Sequence, residues 1–120
     1  MEPLLMMETA CVLLALAALG GLGMAGMRFA GTPHPPAWLA MAHGFLAGAA
    51  VTLLLYAYFT VGLPRFAAWG LLLFVVAALG GIYLNLQYHM KGQALPVGIM
   101  IVHALIAVVG FLLLLLAIFA

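Results

Sequence analysis

The chain has 120 residues, of which 70% are hydrophobic and only 4% charged, for a net charge of +1. So little polar surface cannot cover a water-soluble globule, so the composition excludes one and points to an integral membrane protein surrounded by a lipid bilayer. A charge this close to neutral gives no sign of a nucleic-acid partner, and the single cysteine, Cys11, offers neither a disulfide framework nor a thiolate metal cluster.

Taken in order, four apolar spans fall at about 5–27, 37–60, 66–88 and 96–119, each near the ~20 helical residues that a hydrocarbon core requires. Gly31, Pro33, Pro35 and Pro36 separate the first two, Gly62 and Pro64 the next, and Lys91, Gly92 and Pro96 the last. Connections this short make consecutive helices antiparallel neighbours, so the expected fold is all-α, an up-down four-helix bundle forming one transmembrane domain. The first span carries Glu2 and Glu8 and no basic residue ahead of it, the wrong sign for a secretory leader, and is read as a mature helix. Both termini then share one face, called A. Arg28 and Lys91 lie toward the opposite face B and Arg65 toward A, which by the positive-inside rule makes B cytoplasmic and the termini periplasmic in a bacterial inner membrane.

Residues 1–60 laid over 61–120 without gaps reveal a tandem pair of two-helix repeats. Ala17 to Gly21 falls on Ala77 to Gly81, Pro36 on Pro96, His43 on His103 and Ala47 on Ala107. Leucine matches say little in so leucine-rich a chain, whereas the matched histidine, proline and glycine pair carry the argument. Two repeats of two helices each have the same orientation across the membrane, a parallel repeat.

Each histidine stands seven residues beyond the proline that opens its helix, so both lie roughly 10 Å below face B. The second and fourth helices of an up-down bundle are diagonal, with axes roughly 12–14 Å apart. One metal ion with both imidazoles as ligands at ~2 Å bridges that gap, as in an axially ligated haem. Small residues lie one and two turns deeper, Ala47 and Ala50 on one helix and Ala107 and Gly110 on the other. Gly20, Gly21, Gly80 and Gly81 stand at the same level on the first and third helices and would let a flat ring approach the backbone. Near face B, Arg28 and Lys91 are candidates to pair with haem propionates, with His34, Tyr88, His89 and Gln93 close by. Bacteriochlorophyll, and a copper or zinc ion held by the face-B histidines, are the alternative occupants.

Two histidines on separate helices with small residues beside them resemble the bis-histidine membrane b-type cytochromes, a class that includes the haem-bearing anchors of succinate dehydrogenase. The resemblance spans the four-helix layout and implies haem b held by His43 and His103. With a single histidine level, it implies no haem ladder across the membrane. Two protein axial ligands disfavour oxygen binding and favour one-electron transfer to a quinone or a redox protein. No carboxylate pair, nucleophile triad, phosphate loop or zinc signature appears, which points to an electron-transfer subunit rather than a complete enzyme. Such a subunit would sit in a larger membrane complex or a homo-oligomer. Two non-redox readings stand beside it. One is an accessory or structural subunit whose histidines bond helices together. The other is a small transporter using Glu8, since four helices and a first-helix glutamate also resemble the small multidrug-resistance transporters.

Overall fold

A computed structural model describes residues 2–33 and 35–120. Four helices run through them, with no strand among the described residues: α1 (Pro3–Phe29), α2 (Ala37–Thr60), α3 (Arg65–Leu84) and α4 (Val97–Phe119). A π turn, Asn85–His89, extends α3. All four spans, with α3 counted to His89, are long and apolar enough to cross a membrane. The elements agree with the expected spans to within two residues, and the last turn of the third span is π rather than α.

The ends follow from local chemistry. Pro36, Pro64 and Pro96 each precede the first residue of a helix, where a fixed φ suits the first turn and the missing N–H costs nothing. The three connections each turn through a glycine in the left-handed region, Gly31, Gly62 and Gly92, where a Cβ would clash with the backbone.

The helices pack as a ring in which α1 touches α2 and α4, and α3 touches α2 and α4. The bundle measures 43 × 20 × 19 Å. Its core lies in the half containing the chain ends, where Met7, Ala10, Leu14, Ala50, Leu54, Ala67, Leu71, Phe74 and Leu114 form one buried cluster. The closest backbone approach there joins α3 to α4. A methyl group on Gly70 would stand 2.9 Å from the Gly110 carbonyl oxygen.

Burial repeats at the 60-residue offset. Met7 and Ala67, Ala10 and Gly70, Leu14 and Phe74, Ala17 and Ala77, Pro35 and Leu95, Ala50 and Gly110, and Leu54 and Leu114 are buried in both members of each pair. Few of these pairs are identical in sequence. What recurs is which face of each helix turns inward.

Candidate functional site

The half of the bundle away from the core holds the histidines. His43 on α2 and His103 on α4 are both half-buried, and their ring centroids stand 6.2 Å apart with the planes inclined at 70°. Helices on opposite sides of the ring thus direct their imidazoles toward each other.

Both rings are held from behind in the same way. Nδ1 of His43 donates to the Ala17 carbonyl at 2.7 Å, across 26 residues, and Nδ1 of His103 donates to the Ala77 carbonyl at 2.8 Å, across the same 26. A carbonyl can only accept, so the proton of each neutral imidazole is on Nδ1 and the lone pair is on Nε2. Metal-ligating histidines have this arrangement, one ring nitrogen fixed by a backbone acceptor and the other free to coordinate.

The glycine pairs explain how the rings reach those carbonyls. The carbonyl of Ala17 points along the helix toward Gly21, one turn on, where a side chain would cover it. A methyl group on Gly21 would lie 3.0 Å from Cε1 of His43, and one on Gly81 would lie 3.1 Å from Cε1 of His103. At Gly20 and Gly80 the nearest atoms would be at ordinary contact, 3.6 Å from His43 Cβ and 3.7 Å from His103 Nδ1. The flat ring that these glycines admit is therefore the imidazole of the neighbouring helix. The sequence by itself points to a macrocycle there. The difference is one of order, because the imidazole fills the notch first and any further ring must lie beyond it.

Ala47 and Ala107 are half-buried one turn deeper than the histidines, and Ala50 and Gly110 are buried. Against Gly110 packs the ring of Phe74, which a methyl group there would meet at 3.1 Å. Arg28 is half-buried, and its Nε donates to the Leu95 carbonyl at 2.9 Å, tying the end of α1 to the chain just ahead of α4. Lys91 is instead exposed and bonds within its own turn, Nζ to Oε1 of Gln87 at 2.8 Å. The structure thus brings Arg28 into the join between the halves and leaves Lys91 at the rim.

His89, which the sequence places only near face B, has a partner on the other half. Its Nε2 donates to the Pro35 carbonyl at 2.6 Å. His34 lies outside the described residues. Among the described residues no three of His, Cys, Asp and Glu come together as a metal-binding group. Glu8 is exposed on α1, and its counterpart at the 60-residue offset is Ala68. Tyr83 and Tyr88 meet edge to face at 5.9 Å, near the same end of the bundle.

Two imidazole nitrogens bound to one ion at ~2.0 Å each are about 4 Å apart, which puts their ring centroids about 6 Å apart. A direct N–H···N bond would bring the centroids to about 5 Å. The observed centroid separation of 6.2 Å is longer than a direct bond gives and is about the length that two imidazoles ligating one ion would have. An ion held by these two donors alone would take its other ligands from elsewhere, for example from the four nitrogens of a tetrapyrrole. Compared with protein-family models, curated proteins and solved structures, the chain matches none.

Proposed function

We propose that the chain is a membrane-embedded carrier of single electrons, built by tandem duplication of a two-helix unit, with one haem b ligated by His43 and His103. The observation that carries this reading is the paired geometry. Two imidazoles at equivalent positions have Nδ1 committed to a backbone carbonyl and centroids 6.2 Å apart. The four apolar helices support insertion in a bilayer, and the burial pattern at the 60-residue offset supports the duplication. Haem b, when bound, supplies a reversible one-electron couple at iron. The chain's own part is to present both Nε2 lone pairs at fixed depth and to keep water from the ring with the small and apolar residues beneath. A quinone or a redox protein meeting face B is the expected exchange partner, within a larger complex or a homo-oligomer. The positive-inside rule makes face B cytoplasmic.

The Nδ1 bonds also favour a second reading. They join α1 to α2 and α3 to α4, which is all that a structural subunit would ask of its histidines. An absorption spectrum of the purified protein separates the two. The carrier predicts a Soret band with a sharp α band on reduction, lost in His43→Ala and in His103→Ala. A colourless, metal-free parent would leave the structural reading, and a band far to the red would indicate a bacteriochlorophyll.

A further inference from the structure

The face-B end carries a second reciprocal pair of bonds. Arg28, closing α1, donates to the carbonyl of Leu95, and His89, closing the third span, donates to the carbonyl of Pro35. The two acceptors are counterparts at the 60-residue offset, each one residue before the proline that precedes a helix, and both are buried. The two donors are not counterparts, since the position 60 beyond Arg28 is Tyr88.

The π turn accounts for the mismatch. It runs Asn85–His89, and the Met90 N–H donates to the Asn85 carbonyl, five residues back, where an α-helix would reach four. A π turn inserted in an α-helix therefore accommodates one extra residue. By its last residue the π turn lags a continuous α-helix by about one position, so His89 stands about where residue 88 would be. The corresponding end of α1 is regular helix through Phe29.

We propose that Arg28 and His89 are counterpart positioning residues, two straps that lock the halves together about 10 Å above the imidazole pair, and that the π turn is the one-residue insertion which brings His89 into that role. Each strap crosses from one half to the other, and the Leu95 N–H donating to the Pro33 carbonyl at 3.1 Å closes the joint between them. Because His43 and His103 belong to different halves, the straps fix how far apart the two rings sit. Only the spectroscopic arm of the test below rests on the haem reading.

The test compares Arg28→Met, His89→Met, the double Met variant, the exchange Arg28→His with His89→Arg, and single deletions of Leu86 or Leu79, all in the full chain in detergent. Leu86 lies in the π turn and Leu79 in regular α3, and both are exposed. Deleting Leu86 turns π into α and leaves His89 in register, so melting stays near the parent's. Deleting Leu79 rotates everything beyond it by about 100° and melting collapses. Each Met variant lowers the melting temperature by roughly 5 °C, and the exchange recovers most of what the double Met variant loses. In cofactor-bearing protein, the Met variants also shift the reduction potential and the low-spin ferric signal, whereas Phe29→Ala, an exposed neighbour, does not. Equal damage from the two deletions overturns the insertion. Met variants that melt like the parent, an exchange as harmful as the double Met variant, or Met variants whose potential and ferric signal match the parent's overturn the straps. A colourless parent removes the haem reading and leaves the melting comparisons to decide the straps by themselves.

Discussion

Replacing Gly21 by alanine and replacing Gly20 by alanine are the same chemical change one residue apart, yet the structure gives them different outcomes at the site. At Gly20 the new methyl group meets His43 Cβ at 3.6 Å, an ordinary contact. Alanine there gains up to about 1 kcal/mol of helix propensity over glycine. At Gly21 the methyl group meets His43 Cε1 at 3.0 Å and Nδ1 at 3.4 Å, so the imidazole must retreat by about 0.5 Å to regain normal carbon contact. That retreat stretches the 2.7 Å bond to the Ala17 carbonyl. Losing the bond costs about 0.5–1.5 kcal/mol, a cost that the propensity gain largely offsets. Gly21→Ala is therefore expected to melt close to the parent while the tautomer and position of His43 change. Nitrogen NMR of the imidazole reports the first, since Nδ1 and Nε2 exchange their protonated and unprotonated shifts when the carbonyl bond is lost. In cofactor-bearing protein the absorption spectrum reports the second, because a displacement of about 0.5 Å exceeds the ~0.2 Å tolerance of a metal bond. The Gly81→Ala and Gly80→Ala pair repeats the comparison, at 3.1 Å and 3.7 Å. If Gly20→Ala disturbed the His43 signals as much as Gly21→Ala, the notch argument would be refuted.

Gly70→Ala brings a methyl group to 2.9 Å from a backbone oxygen on α4, which cannot move aside as a side chain can. A loss of about 1–3 kcal/mol is expected in reversible unfolding, while Gly48→Ala, with nothing within 4 Å, stays neutral or gains. Leu54→Ala and Leu114→Ala, both at 0% exposure, should each cost about 2–5 kcal/mol by leaving a cavity. Leu112→Ala, 53% exposed on the same helix as Leu114, should cost far less in the same assay.

Much of this was legible in the chain. Spans of some twenty apolar residues bounded by glycine and proline can hardly be anything but helices, and α2 and α4 begin just after Pro36 and Pro96, as the sequence indicates. The position of each histidine along its helix was legible too, because both are counted from a proline that precedes the first turn. Less legible was what the glycines accommodate. The glycine pairs read from the sequence as letting a flat ring approach the backbone, and only the direction of the His43 side chain decides that the ring is its own. The π turn left a trace that spacing alone did not interpret. Laid at the 60-residue offset, Arg28 meets Tyr88, and the polar counterpart, His89, stands one position late. A shift of one residue at His89, with the 60-residue offset restored by Leu95, is what a π insertion followed by a connection one residue shorter produces.

The two ends of the bundle are held by different forces, and this decides which substitutions reach the site. At the end carrying the termini, the join is apolar packing, with Ala10, Ala50, Leu54, Ala67 and Leu114 at 0% exposure. At the other end, four side chains reach across to carbonyls of distant segments: Arg28 to Leu95, His43 to Ala17, His89 to Pro35 and His103 to Ala77. Thr52, Thr60 and Lys91 bond within their own turns. Packing lost at the first end leaves a cavity that nothing nearby can fill, so its cost falls on the whole fold. A bond lost at the second end costs about 1 kcal/mol and frees one segment to move while the packed end holds the helices together. Substitutions at Leu54 or Leu114 should therefore register first in unfolding and those at Arg28, Gly21 or Gly81 first in the geometry of the imidazole pair, so the two classes separate when melting and imidazole NMR are measured on the same samples.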